Sequence, residues 1–132
     1  MNTKIFKAYD VRGKYPDEIN EAAVEKICGS LGRYFKKGAV VIGHDARLSS
    51  SSLYKAAIDG IKKTRKSGEF FLVGMVTTPM LYFLVNRLKA TGGIMVTASH
   101  NPKEFNGLKI MGPKADPISG EDILSWVMKH DK

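Results

Sequence analysis

Residues 92–111, GGIMVTASHNPKEFNGLKIM, decide the fold. Ile94-Met95-Val96 is a short apolar run of the kind that a strand buried on both faces requires, and Leu108-Lys109-Ile110-Met111 is a second segment of strand length. The connection between them is too short for a crossover helix. The two strands are therefore expected to lie antiparallel, with Asn106-Gly107 turning the chain back.

Outward from this pair, strands and helices alternate. Residues 39–43 and 70–73 are apolar runs of strand length. Pro16-Asp17 is expected to open a first helix, in which Ile19, Ala23, Ile27, Leu31 and Phe35 recur every four residues until Gly38 closes it. Ser49 to Ser52 offer N-caps for a second helix through Leu53, Ala57 and Ile61, ending near Gly68. Thr78-Pro79 starts a third, with Leu81, Leu84, Val85 and Leu88 on its apolar side, and Ser119-Gly120-Glu121-Asp122 resembles a capping box before a final helix carrying Ile123, Leu124, Trp126 and Val127. The pattern predicts an α/β fold, a three-layer α/β/α sandwich whose mixed, mostly parallel sheet has about four strands. No linker, repeat or low-complexity tract divides residues 1–132, so one domain is expected.

Twenty-one basic against 13 acidic residues give a net charge of +8, which favours an anionic partner. No nucleic-acid motif accompanies the charge, and the cluster Lys62-Lys63-Thr64-Arg65-Lys66 reads as a solvated helix end where cations complement the dipole. No apolar run approaches the ~18 residues of a membrane span, and MNTKIFKAYDVRG lacks the apolar core of a secretory signal, so neither nucleic acid nor membrane is an expected partner and a cytoplasmic location is expected. The lone Cys28 falls in a helical pattern, as a small core residue.

Open α/β sheets bind ligands beyond the carboxyl ends of their strands, and Ser99 follows one directly. Ser, Asn, Pro and Gly are also ordinary turn residues. A serine hydrolase fits poorly, because no G-x-S-x-G elbow occurs and adjacent Ser99 and His100 side chains diverge in extended chain; His44 is the remaining base that such a mechanism could use. Phosphoryl transfer suits the residues better, since it needs cations and hydrogen-bond donors around the reacting group, and Arg12, His100, Asn101 and Lys109 supply them.

TASHNPKEFNGLK at residues 97–109 resembles the phosphoserine loop of the α-D-phosphohexomutases, and FKAYDVRG at 6–13 resembles the opening of their phosphomannomutase/phosphoglucomutase branch. GHDARLSS at 43–50 and GMVTTP at 74–79 are similar to two further stretches of that family. The resemblance implies that Ser99 carries the phosphate, that this phosphate is a ligand of Mg²⁺, and that phosphate moves between the 1- and 6-positions of a hexose through a hexose 1,6-bisphosphate. It implies proton transfer by Lys109, a role for Arg12 with Tyr9 near the reacting hydroxyl, and orientation of the loop by His100 and Asn101. Asp45 and Arg47 are expected either to brace the rim or to act directly. The opening is unlike the FGTDGIRG of the phosphoglucosamine branch, which points to glucose and mannose phosphates. Phe105 departs from the family's usual tyrosine.

The resemblance covers the family's first domain only. Its aspartate-rich Mg²⁺ loop, sugar-recognition domain and phosphate-binding domain have no counterpart, because no Asp-x-Asp-x-Asp occurs. Domains II–IV are thus expected partners, and the isolated chain is expected not to turn over. Apolar surface for such partners is expected near Trp126, Val127 and Met128. A noncatalytic anion-binding or interaction module on the same scaffold is the alternative.

Overall fold

The computed structural model describes residues 1–130. A short 3₁₀ turn, Thr3–Ile5, precedes strand β1 (Val11–Lys14) and helix α1 (Glu21–Tyr34). There follow β2 (Val40–His44), α2 (Ser50–Thr64), β3 (Phe70–Met75), α3 (Thr78–Arg87), β4 (Gly92–Val96), β5 (Phe105–Met111), a 3₁₀ turn at Pro113–Ala115, and α4 (Gly120–Lys129). The strands form one sheet in the order β1-β5-β4-β2-β3. β2 runs parallel to β3 and β4, whereas β5 is antiparallel to both β4 and β1.

Alternation along the strands divides the core into two layers. Val40, Ile42, Ile94, Val96, Leu108 and Ile110 face α1, α2 and α4; Val41, Met95 and Met111 face Leu81 and Val85 of α3. The three-layer sandwich is therefore observed, with five strands instead of about four. The added strand, Val-Arg-Gly-Lys, has only one large apolar residue and so no signal of its own. It forms because β5 pairs with it, Arg12 opposite Gly107, where a Cβ would overlap the Val11 carbonyl oxygen.

Three local expectations are corrected. Asn106-Gly107 is not a turn but part of β5: the Asn106 side chain is fully buried and donates to Ser49 Oγ at 2.8 Å and Ser50 Oγ at 3.0 Å. Helix α1 starts at Glu21, not at Pro16-Asp17, because the Glu18 and Ile19 amides both donate to the Lys14 carbonyl in a turn, and Asn20 takes the cap by accepting from Ala23 N at 3.0 Å. Arg65 is not solvated: 4% exposed, it donates from Nε to the Phe35 carbonyl at 2.5 Å and from Nη2 to the Gly38 carbonyl, tying the ends of α1 and α2 together. Lys62, Lys63 and Lys66 of the same cluster are exposed.

Ser49 stands at the N-cap of α2 without a side-chain capping bond, whereas the caps of α3 and α4 lie close to expectation. Thr77, one residue earlier than the expected cap, accepts from Met80 N at 3.2 Å, and Ser119 accepts from Asp122 N at 3.1 Å. Cys28 is buried, and desolvation pushes its thiol pKa far up, so it is an inert core group. Among the described residues no helix is long and apolar enough to cross a membrane.

Candidate functional site

Because β2, β3 and β4 are parallel, the loops that follow them meet at one rim. Asp45 N donates to the Val96 carbonyl at 3.0 Å and Val76 N to the His44 carbonyl at 3.0 Å, stitching the three exits together. The loop after β4, residues 97–104, rises above this rim.

Ser99 sits there half-buried with φ = +56°, in the left-handed region that a non-glycine residue adopts at a cost of roughly 1–2 kcal/mol. The surrounding hydrogen bonds hold it. Ser99 N donates to Thr97 Oγ1 at 3.0 Å, and the Ser99 carbonyl accepts from Arg47 Nη2 at 2.9 Å. The same guanidinium donates to the carbonyls of Asn101 at 2.7 Å, Pro102 at 2.7 Å and Phe105 at 3.1 Å. One side chain thus gathers four carbonyls of the loop, a task suited to arginine's planar fork of donors.

Asp45 holds that arginine and the base of the loop. Its Oδ2 accepts from Thr97 Oγ1 at 2.7 Å and lies 3.4 Å from Arg47 Nε; its Oδ1 accepts from Ser50 Oγ at 2.5 Å and Arg47 N at 3.1 Å. Buried Asn106 closes the network through Ser49 and Ser50. Of the two roles expected for Asp45 and Arg47, the contacts are those of a brace.

Arg12 approaches from β1. Nη1 donates to Asn101 Oδ1, and Nη2 pairs with Asp10 at 3.2 Å, whereas the buried Nε has no partner. Lys109 and Tyr9 line a separate hollow of about 90 Å³ together with Tyr82 and Met111. Lys109 lies opposite Met95 on β5, on the α3 side of the sheet. The structure therefore joins Ser99, Asn101, Arg12, Arg47 and Asp45 by hydrogen bonds and groups Tyr9 with Lys109 apart from them. His100 is exposed, and His44 bonds Asp45 O through Nδ1 at 2.8 Å while its ring meets Tyr54; among the described residues neither histidine bonds Ser99.

The sequence marks Ser49 and Ser50 as caps and Asn106 as a turn, and gives none of these, nor Thr97, a place in the site. The available signal was Asn106 itself, a polar residue at an inward position of a buried strand, which requires polar partners.

For Mg²⁺ the residues present do not fit. Among the described residues no three His, Cys, Asp or Glu side chains gather, and both oxygens of Asp45, the carboxylate beside the loop, are already engaged.

Residues 3–129 match a family described as phosphoglucomutase/phosphomannomutase, alpha/beta/alpha domain I. The chain belongs to this family. Among curated relatives, phosphohexose mutases of Xanthomonas campestris pv. campestris (strain B100) are 43% identical over 94% of this chain and 27% of their own length. A phosphomannomutase sequence from Klebsiella pneumoniae is 40% identical over 94% of this chain and 78% of its own length. A crystal structure of a phosphoglucomutase/phosphomannomutase family protein from Burkholderia thailandensis superposes with a TM-score of 0.80 at 33% identity, covering 98% of this chain and 30% of that one. The chain thus spans about a quarter of the length of the Xanthomonas relatives and has the family's domain I fold.

Proposed function

We propose that this chain is the phosphoserine-bearing domain I of a phosphohexomutase acting on glucose or mannose phosphates. In this reading phosphorylated Ser99 transfers its phosphoryl group to the free 1- or 6-hydroxyl oxygen of a hexose monophosphate. The P–Oγ bond breaks, a P–O bond to the sugar forms, and the hydroxyl proton passes to a base, for which Lys109 is the proposed group. The resulting hexose 1,6-bisphosphate, turned end for end, returns its other phosphate to Ser99 Oγ, so atoms and charge balance over the cycle.

The observation that carries this reading is the clamped, left-handed Ser99. A bare turn has no need for one arginine on four carbonyls and a carboxylate holding that arginine, whereas a phosphate carrier needs its oxygen fixed before reaction. The half-buried hydroxyl has no hydrogen-bond partner among the described residues, and is thus not tied up in the brace. Arg12 and Asn101, which bond each other and join the Ser99 loop through Arg47, are the proposed positioning groups, and a cytoplasmic setting suits the substrates.

Domains II–IV are the proposed partners, supplying sugar recognition and the Mg²⁺ site that these residues do not form. Apolar surface suited to such a neighbour lies partly at the expected place and partly on β3 and α3. Val127 is buried and Trp126 stacks on Tyr34 at 3.9 Å, but Met128 and Tyr34 beside them are exposed, and Leu72 and Met75 of β3 and Met80 and Phe83 of α3 also face solvent. The second reading, an anion-binding module, is favoured by one observation: Lys109 and Arg12 line different hollows.

Incubation with glucose 1,6-bisphosphate tests the proposal. Intact-protein mass spectrometry should show a gain of one phosphate that Ser99→Ala abolishes. No gain would turn the assignment toward the binding module.

A further inference from the structure

The net charge of the chain is concentrated at the end of the sheet opposite the rim. Residues 33–37, 62–69 and 87–91 contain nine of the 21 basic residues and one of the 13 acidic ones, Glu69, so the rest of the sequence is neutral overall and these segments account for the net +8. They close α1, α2 and α3 and lead into β2, β3 and β4. Because those strands are parallel, the three turns lie side by side. Val40 N donates to the Glu69 carbonyl at 3.0 Å, and Thr91 N to the Ala39 carbonyl at 2.8 Å.

Folding does not account for so much charge. Three helices end here, and the C-terminal dipole of each amounts to only about half a negative charge. Arg65 is spent on carbonyls and Lys63 on Glu25, and Lys62 lies over the Phe70 ring. Arg33, Lys36, Lys37, Lys66, Arg87 and Lys89 remain, all exposed and without a hydrogen-bond or ion-pair partner among the described residues. Like charges gathered on one surface repel, and an anionic partner turns that repulsion into attraction.

The arrangement suits a plane of negative charge better than a strand. The cations belong to both outer layers, α1 and α2 on one face of the sheet and α3 on the other, yet all stand at one end, where a flat surface meets them together. A single-stranded nucleic acid calls for free aromatic platforms. Of the exposed large apolar side chains only Tyr34 falls in these segments, and its ring is stacked on Trp126. Six of the nine cations are lysines, point charges without the planar fork that reads base edges. Between the ends of α1 and α2 a recess of about 320 Å³, whose lining includes Arg33, Lys36 and Lys66, offers a lipid phosphodiester a place among three unpaired cations.

We propose that this pole docks the protein on the surface of an anionic phospholipid bilayer, in a peripheral contact held by those six cations. Such a contact needs no membrane span, and with little apolar surface to insert it is reversible and released by salt. It leaves the rim at the other end of the strands open, and it does not rest on phosphate transfer by Ser99.

The test is cosedimentation of the 132-residue chain with vesicles of phosphatidylglycerol and phosphatidylcholine. Binding should rise with the phosphatidylglycerol fraction, be absent on phosphatidylcholine alone, and vanish near about 0.5 M salt, where the screening length falls below about 5 Å. Each cation near an anionic surface is worth about fivefold in binding, so Lys36→Gln/Lys37→Gln/Lys66→Gln/Lys89→Gln should weaken it about a hundredfold or more. Lys4→Gln/Lys7→Gln/Lys103→Gln/Lys114→Gln removes the same charge elsewhere and should keep most of the binding. All eight lysines are exposed, and unchanged circular dichroism would show that both variants fold. No binding to phosphatidylglycerol vesicles, equal binding to phosphatidylcholine, indifference to salt, or equal losses in the two variants would each overturn the proposal. Release from the vesicles by single-stranded DNA at equal phosphate concentration would also overturn it, assigning the pole to nucleic acid.

Discussion

Arg47 holds Ser99 from 52 residues away in sequence, its Nη2 donating to the Ser99 carbonyl at 2.9 Å while Nε faces Asp45 at 3.4 Å. The loop that carries the serine is thus fixed by the loop that follows β2, and the geometry of position 99 depends on a residue that never touches its hydroxyl.

Replacing Arg47 should therefore loosen the loop without unfolding the sheet. Arg47→Ala is expected to cost about 1–3 kcal/mol in urea denaturation, since several charge-assisted bonds vanish but the partly exposed carbonyls regain water. Amide exchange at residues 99–105 should accelerate while β2 and β4 stay protected. Arg47→Lys should rescue little, because a point charge cannot serve four carbonyls. Unchanged exchange in the loop would refute the brace.

Thr97 links Asp45 to the Ser99 amide, its hydroxyl donating to Asp45 Oδ2 and accepting from Ser99 N. Thr97→Val keeps the shape and removes both bonds at a buried site, for an expected loss of about 1–3 kcal/mol. Thr97→Ser should recover most of it. Equal stability of the valine and serine variants would show that the hydroxyl is dispensable.

Gly107 allows β1 to approach β5, and Gly107→Ala should drive the two apart. A loss of about 1–3 kcal/mol or more is expected, with the Val11 and Arg12 region of the spectrum most disturbed. A variant as stable as the parent, with β1 intact, would contradict the packing described.

Glu21 supplies a pH signature away from the rim. Hydrogen bonds from Ser52 at 2.5 Å and Tyr15 at 2.6 Å to Oε2 hold its carboxyl below the ordinary range. A lowered folded pKa means that the stabilisation is complete above the unfolded value, about 4.3, and fades as pH falls through the folded one. Glu21→Gln should therefore flatten the loss of stability below about pH 4.3 while leaving most of the neutral-to-mild-acid profile in shape. An identical acid limb in both proteins would exclude this contribution.

The strands inside the sheet, the four helices and the rim position of Ser99 were legible because each rests on local pattern: apolar runs, four-residue periodicity, caps and a polar stretch after a strand. β1 was not, since Val11–Lys14 owes its conformation to Gly107 across the ladder. Arg65 and Asn106 were misread for the same reason. Their chemistry suits a helix end and a turn, yet both are buried by partners about 30 and 56 residues distant. The motifs located the serine loop; the brace that bends it, made by Arg47, Asp45 and Thr97, is visible only when the exits of β2 and β4 stand side by side.

If the Ser99 hydroxyl is the phosphate carrier, residue-level mapping finds the phosphate on that oxygen alone. After exposure to the bisphosphate, peptide mass spectrometry of the segment containing residues 97–109 should place the added phosphate on Ser99 and leave Thr97 unmodified. Phosphate on Thr97, on Ser49 or Ser50, or persisting in Ser99→Ala would contradict the account.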